Sequence, residues 1–353
     1  MDIKDYIAGP EISVLDAMQA INHNARGIIY ICDGDILLGV ITDGNIRRHI
    51  LSNGDLNISV DKIMNGSPKF IKQSDDVDCY SYMKENNITS VPIVNDEFSI
   101  ITIKFLNAET VYKSSNLNIP VVIMAGGKGT RLSPYTDVLP KPLIPIGNET
   151  ITELIISRFK KFGCNDFNMI VNYKRNLIKA FFAEVEKTYN IKFTDEEKFL
   201  GTAGGLKLIE YDYNSTFFLT NCDILVEADY ADILSYHNAN QNIITVVCAA
   251  KKVEIPYGTI DVNDNGNIIR LNEKPSFSFM ANTGFYVVEP KFMKYLPEDT
   301  FVHITEIIEK CIDGGEKVGM YPISESSWFD MGQLEELERM RKYLQKKEMT
   351  KFD

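Results

Sequence analysis

The sequence predicts an α/β protein with a mostly parallel sheet, preceded by a smaller domain built from a repeat. Three observations predict it. From Val121 onward, apolar strands such as "VVIMA", "FNMIVN", "TFFLTNCDIL" and "NIITVVCAA" alternate with segments of helical periodicity. Before that point a helix–strand–strand pattern occurs twice. Between the first of those strands and the next helix lies a glycine-rich loop, "MAGGKGTRLSPYTDVLPKPLIPIG" (Met124–Gly147). Ligands of parallel sheets bind beyond the carboxyl ends of strands, which is where this loop falls.

The chain has 353 residues, enough for about two or three domains. Apolar content of 44% and charged content of 24% suit an ordinary globular protein. A net charge of −12 argues against general binding of phosphate backbones, so no nucleic-acid partner is expected. A local basic pocket for one small anion remains compatible with it. The N-terminus, "MDIKDYIAGP", has no basic segment followed by an apolar core, and no apolar run approaches about 18 residues. A cytoplasmic protein without a membrane span is expected. The six cysteines lie far apart and form no CxxC pair, and there are only four histidines. Buried reduced thiols are the expectation, and a zinc site is not.

The repeat comes first in the chain. Val14–Asp33, "VLDAMQAINHNARGIIYICD", and Val77–Asp96, "VDCYSYMKENNITSVPIVND", each read as helix, asparagine turn (Asn24, Asn87) and apolar strand. A second short strand follows each, "ILLGVIT" and "FSIITI". A polar linker, Tyr112–Pro120, closes this part and marks a boundary, giving domains 1–116 and 117–353. Beyond it, "ITELIISRFKKFG" and "YADILSYHNAN" read as helices. "DNG" in "YGTIDVNDNGNIIRLNEKP" signals a hairpin. "LEELERMRKYLQKK" reads as a closing amphipathic helix.

The glycine loop asks for an anion. Without a Cβ, main-chain N–H groups can approach a ligand closely. It is not a Walker loop, since Lys128 is followed by Gly129, nor a dinucleotide loop, since Gly127-Lys-Gly129-Thr-Arg ends at Leu132. Arg131 offers paired donors to phosphate oxygens, and Lys141 stands between Pro140 and Pro142, which fix its backbone.

With "LGTAGGL" (Leu200–Leu206), "TNCDIL" (Thr220–Leu225), "NEKP" (Asn272–Pro275), "ANTGFYV" (Ala281–Val287) and "WFDMGQ" (Trp328–Gln333) downstream, this loop resembles the signature of sugar-1-phosphate nucleotidylyltransferases. The doubled N-terminal unit resembles the CBS domain, carried by "GVITDGNIRRHI" and "ITSVPIVND". Together they resemble the CBS-containing guanylyltransferases, of the glucosamine-1-phosphate kind that serves legionaminic acid biosynthesis. The resemblance implies a Rossmann-like nucleotidyltransferase domain behind a CBS domain pair. It implies transfer from GTP to glucosamine 1-phosphate with release of pyrophosphate and with Mg²⁺. Mannose 1-phosphate, or UTP or dTTP, are alternatives, and so is a non-catalytic nucleotide sensor.

Residue by residue, the resemblance implies that Ala125, Gly126, Gly127, Gly129 and Thr130 wrap the nucleotide. Arg131 holds the leaving phosphates and Lys141 neutralises charge on the α-phosphate. Gly201, Thr202, Ala203 and Gly204 line base and ribose. Asp223, expected at a strand end, and Asp330, expected on a turn before the last helix, bind the metal. Tyr257, Gly258, Glu273, Lys274, Asn282 and Thr283 form the sugar-phosphate side. Glu196 fits the guanine-reading acid of relatives, with Phe199 in place of their proline; a solvated acidic turn is the other reading. In the CBS pair, Thr42 is followed by Asn45 and Thr102 by Phe105, where adenine-nucleotide binders have a ribose-holding Asp. A homodimer through the pair is expected, and an adenine-nucleotide regulator there stays open.

Overall fold

A computed structural model describes residues 3–24, 26–75, 77–106, 116–209 and 215–349. The chain divides into two compact units. One comprises Met1–Val111, Ala250–Ala281 and Ser324–Ser326, and the other Tyr112–Ala249, Asn282–Ile323 and Ser327–Asp353. The expected linker lies in part on 112–115, outside the described residues. No helix among the described residues is long and apolar enough to cross a membrane.

The N-terminal part contains β1 (Ile7–Ala8), α1 (Val14–Asn24), β2 (Ile28–Asp33), β3 (Ile36–Thr42), α2 (Asp43–Leu51), β4 (Ile71–Lys72), α3 (Cys79–Glu85), β5 (Ser90–Val94) and β6 (Ile100–Phe105). The repeat is visible in the pairing. β1 runs parallel to β2, and β2 antiparallel to β3. β4 runs parallel to β5, and β5 antiparallel to β6. Both antiparallel pairs carry a register shift near the same place, at Ile31/Cys32 and at Ile93/Val94. Neither copy buries its apolar face alone. Tyr30, Cys32, Leu37 and Val40 from the first join Val94 and Ile100 from the second in one core. The buried Tyr30 and Ser90 hydroxyls meet at 2.8 Å across the copies.

The second unit begins with β7 (Val121–Ala125), α4 (Tyr135–Val138), β8 (Pro145–Ile146), β9 (Glu149–Thr150), α5 (Ile151–Lys160), β10 (Asp166–Val171), α6 (Arg175–Glu184) and β11 (Asn190–Asp195). It continues with β12 (Phe217–Asn221), β13 (Ile224–Val226), α7 (Tyr230–Asn240) and β14 (Ile244–Glu254). The predicted hairpin, β15 (Thr259–Val262) with β16 (Ile268–Asn272), turns at Gly266 with φ +77° and belongs to the first unit. β17 (Ser276–Val288), α8 (Ile304–Asp313), β18 (Val318–Ser324), β19 (Trp328–Asp330) and α9 (Leu334–Met349) complete the chain.

Seven strands form one sheet in the order β11-β10-β7-β12-β17-β14-β18. β11, β10, β7 and β12 are mutually parallel, and β17 joins β12 antiparallel. β7 has no polar face because both sides are covered: Val121, Ile123 and Ala125 enter one core and Val122 the other. Phe159 on α5 centres the first core, 4.8 Å from Tyr230, 5.5 Å from Phe285 and 5.6 Å from Phe218, centroid to centroid. α5 starts at a capping box, with the Thr150 hydroxyl accepting from Glu153 N–H and Glu153 accepting from Thr150 N–H.

Register then places the site. Ala125 pairs with Val171, and Met124 with Asn221. The carboxyl ends of β7, β10 and β12 therefore stop level, and Gly126, Asn172 and Cys222-Asp223 follow them on one edge.

Candidate active site

The loop after β7 turns back on itself. Gly129 has φ +67°, a conformation that favours glycine. A Cβ there would stand 2.9 Å from the Thr136 methyl and 3.1 Å from Lys141 Cβ. The Thr136 hydroxyl donates to the Gly129 carbonyl at 2.9 Å. The fold-back thus brings Lys141 against the glycine loop. Gly127 has open space where a Cβ would lie, so a ligand can approach its backbone. Thr130 and Arg131 are exposed beside it, whereas the Ala125 side chain is in the core.

Lys141 opens a 3-10 turn after Pro140, and its ammonium donates to Asp223 Oδ2 in a close ion pair. The two side chains are 11% and 9% exposed, so the pair is largely withdrawn from water. Asp223 sits between β12 and β13, as expected for a strand-end residue. Asp330 departs from the expected turn. It is the last residue of β19, which pairs antiparallel with β13 and sets Asp330 opposite Ile224. The Met331 N–H donates to the Asp223 carbonyl at 2.9 Å and ties the two segments together.

Gly332 lies at the centre of this group. A Cβ on it would be 2.8 Å from Asp223 Oδ2, 2.8 Å from Asp330 Oδ1 and 3.0 Å from Lys141 Nζ. Three charged side chains therefore surround one bare backbone position. The Asp330 carboxyl is pushed above the usual range, by burial first and then by the Asp223 charge. The Gly332 N–H, which donates to Asp330 Oδ1 at 3.0 Å, pulls it the other way first, followed by the charges of Lys141 and Arg131. Cys222, fully enclosed beside Asp223, is pushed up to about 12 by burial and stays a thiol.

Glu196 is no solvated turn residue. It is 1% exposed, and its Oε1 accepts the Leu200 N–H at 2.9 Å. Its carboxylate packs against two glycines. A Cβ at Gly126 would lie 2.5 Å from Oε2, and one at Gly205 would lie 3.0 Å from Oε1. Burial raises its pKa, tempered by the Leu200 N–H. Its neighbour Glu197 points outward and pairs with Arg175 at 3.0 Å.

The Gly201–Gly204 segment packs on the chain before α8. Gly201 (φ +83°) and Gly204 leave no room for a side chain, since a Cβ would come within 2.4 Å of the Val302 carbonyl and 2.5 Å of the Thr300 carbonyl. Two side chains assigned to the nucleotide are committed elsewhere. The Thr202 hydroxyl accepts the first N–H of α8, from Ile304, at 2.9 Å, and Ala203 is fully buried in the core. Only their main-chain groups are left for a ligand contact.

The sugar-side residues fall into both units. In the first, Tyr257 is 74% exposed and Gly258 lies close under Glu273, whose Oε2 would be 3.1 Å from a Cβ there. Lys274 follows with φ +42°. In the second, Asn282 Oδ1 accepts the Gly284 N–H at 3.0 Å. Thr283 is 2% exposed and donates to the Val247 carbonyl at 2.7 Å, so its hydroxyl serves the sheet.

A family model described as nucleotidyl transferase matches residues 120–347, and one for the CBS domain matches residues 2–52. The chain belongs to the nucleotidyl transferase family. A mannose-1-phosphate guanyltransferase of Pichia angusta is 40% identical over 182 residues, 48% of this chain and 49% of that protein. A UTP–glucose-1-phosphate uridylyltransferase of Synechocystis sp. is 29% identical over 60% of each chain. The chain thus spans about half to three fifths of the length of these relatives. The crystal structure of HddC from Yersinia pseudotuberculosis shares the fold, with a TM-score of 0.50 at 21% identity, over 64% of this chain and 99% of that one.

Two residues of this cluster escaped the sequence. Gly332 follows Asp330 in "WFDMGQ", but only folding shows what surrounds it. Gly205 extends the glycine run as the second wall of Glu196.

Proposed function

We propose that the chain transfers a guanylyl group from GTP to glucosamine 1-phosphate, giving GDP-glucosamine and pyrophosphate, for nonulosonic (legionaminic) acid synthesis. The observation that carries the transfer reading is the packing of Lys141, Asp223 and Asp330 about Gly332, with the glycine loop folded onto Lys141. A sugar-phosphate oxygen attacks the α-phosphorus of the triphosphate. The bond from that phosphorus to the β-bridging oxygen breaks, and pyrophosphate leaves in line. Such a reaction needs positioning and charge neutralisation more than covalent help. Lys141 neutralises charge growing on the α-phosphate, Arg131 holds the leaving phosphates, and Lys274 pairs with the sugar phosphate.

Mg²⁺ fits the donor set. Two carboxylates converge beside a backbone without a Cβ. Among the described residues, no group of three or more acidic, His or Cys side chains could hold a metal. Mg²⁺ is commonly held by one or two carboxylates plus phosphate oxygens and waters. Asp223 and Asp330 would hold it, and when bound it supplies positive charge at the triphosphate.

Guanine is favoured by Glu196. A buried carboxylate behind Gly126 can accept from N1–H and the 2-amino group, a donor pair that uracil and thymine lack. Glu196→Gln keeps an acceptor for the Leu200 N–H but loses the charge. We expect kcat/KM for GTP to fall about 10- to 100-fold, with kcat/KM for UTP unchanged. Equal losses for both bases would remove the guanine assignment. Glucosamine is favoured by Glu273, since a cationic amine gains from a nearby carboxylate. Mannose 1-phosphate is the second reading, supported by the similarity to the Pichia angusta protein. The test is a matrix of four triphosphates against several hexose 1-phosphates, followed as released pyrophosphate. GTP with glucosamine 1-phosphate should give the highest kcat/KM, and binding of GTP without turnover would favour a sensor.

The CBS pair is read as a homodimerising module. A cavity of about 310 Å³ between its copies, lined by Tyr30, Thr42, Asn45, Arg48, Lys69 and Ser90, supports a nucleotide regulator as the second reading. Against adenosine, Asn45 Oδ1 already accepts the Thr42 N–H at 3.1 Å and the Thr42 hydroxyl at 2.6 Å. Its amide donors remain and can bond a ribose hydroxyl, but more weakly than a carboxylate would as a charged acceptor.

A further inference from the structure

Between Arg131 and Lys141 the chain makes one turn, α4, whose C-terminal carbonyls have no partner within so short a helix. A single side chain from another segment collects them. Lys174 Nζ donates to the carbonyls of Asp137 at 2.6 Å, Val138 at 2.8 Å and Thr136 at 3.4 Å. Its neighbour Tyr173 reinforces the contact, with its hydroxyl donating to the Thr136 carbonyl at 3.3 Å and its N–H to the Gly126 carbonyl at 3.4 Å. Lys174 adopts φ +52°, which L residues other than glycine take up only at a cost, as the chain enters α6. Thr136 passes the constraint on, through its hydroxyl bond to the Gly129 carbonyl.

We infer that Lys174 is a positioning residue for nucleotidyl transfer, bracing the Thr136–Val138 turn so that Arg131 on one side and Lys141 on the other are held in place for the transition state. The inference rests on the function proposed above. An ammonium suits the task because it brings three donors to three carbonyls at the negative end of a helical turn. The alternative is a cap that serves stability alone. The two differ in kinetics. A loosened brace leaves the triphosphate cations present but poorly placed, and misplacement of about 1 Å can cost 10²-fold in rate. The sugar phosphate is met by other segments and should be bound as before.

The experiment compares the full-length chain with Lys174→Met, Lys174→Arg and Lys179→Met, measuring pyrophosphate release and thermal unfolding. Lys179 is on α6 too, but pairs with Asp195 at 2.6 Å, away from the turn. We expect Lys174→Met to lower kcat about 10- to 100-fold, with KM for the sugar phosphate within about 2-fold. Lys174→Arg, which keeps cationic donors, should recover most of the loss, and Lys179→Met should match the wild type. A folded Lys174→Met with wild-type kcat overturns the inference. If that variant does not fold, Thr136→Val cuts the brace at its other end, and unchanged turnover there overturns it equally. A wild-type chain that releases no pyrophosphate removes the proposed function and this inference together, whereas active wild type with an equally active Lys174→Met removes the inference alone.

Discussion

Lys141→Ala lowers kcat about 10²- to 10³-fold, the range found when a single group that stabilises developing charge is removed. The ammonium sits in a site with little water, where charge on a phosphate is worst screened and a cation counts most. The substitution has a second consequence. Asp223 and Asp330 lose the cation that separates their charges while both stay largely enclosed. Breaking a buried pair from one side is costly. The unfolding temperature should therefore fall in EDTA and recover more on adding Mg²⁺ than it does for the wild type. Lys141→Arg is not a safe substitute, because a forked guanidinium does not fit a place shaped for a compact ammonium beside Gly129 and Gly332. Steady-state kinetics and melting curves at several Mg²⁺ concentrations check both effects. Unchanged kcat in Lys141→Ala would take the lysine out of the mechanism.

Asp223→Asn lowers turnover to a similar degree, about 10²- to 10³-fold, but with a different signature. The amide preserves size, so the backbone tie from Met331 to the Asp223 carbonyl survives. What changes is charge: one of the two carboxylates offered to a cation is lost, and Lys141 loses its partner. The Mg²⁺ concentration for half-maximal rate should rise sharply, and the melting temperature should fall as well, because the enclosed Lys141 ammonium is left without its carboxylate. Relief of repulsion also lets the Asp330 carboxyl return towards its ordinary range, since the Asp223 charge is one of the two causes that raise it. A variant with the wild-type Mg²⁺ dependence would show that Asp223 holds no metal during turnover.

Much of this site was legible because its signals are local. A strand that is apolar on both faces, a glycine run directly after it and a carboxylate at the end of "FFLTNC" each announce themselves within a few residues. The N-terminal repeat was legible for the same reason, as helix, turn and strands recur in order. What stayed hidden depends on residues far apart in the chain. Asp330 is on a strand, not a turn, because β19 finds β13 across more than a hundred residues. Thr202 looks like a nucleotide contact from its motif, yet its hydroxyl holds the start of α8. Thr283 similarly serves Val247. Of two adjacent acids, only the fold shows that Glu196 is enclosed by Gly126 and Gly205 while Glu197 faces Arg175. Lys174 gave no signal, since a lysine after an aromatic residue is ordinary until three carbonyls gather around it.

In the proposed function, bare backbone, Arg131, Lys141 and the two aspartates act as one site on one triphosphate. The most direct measurement is pyrophosphate and sugar-nucleotide formation from GTP, glucosamine 1-phosphate and Mg²⁺, run in parallel for wild type, Lys141→Ala and Asp223→Asn. The wild type should give equal amounts of the two products, with near-total loss in both variants. Equal turnover by all three proteins would contradict it.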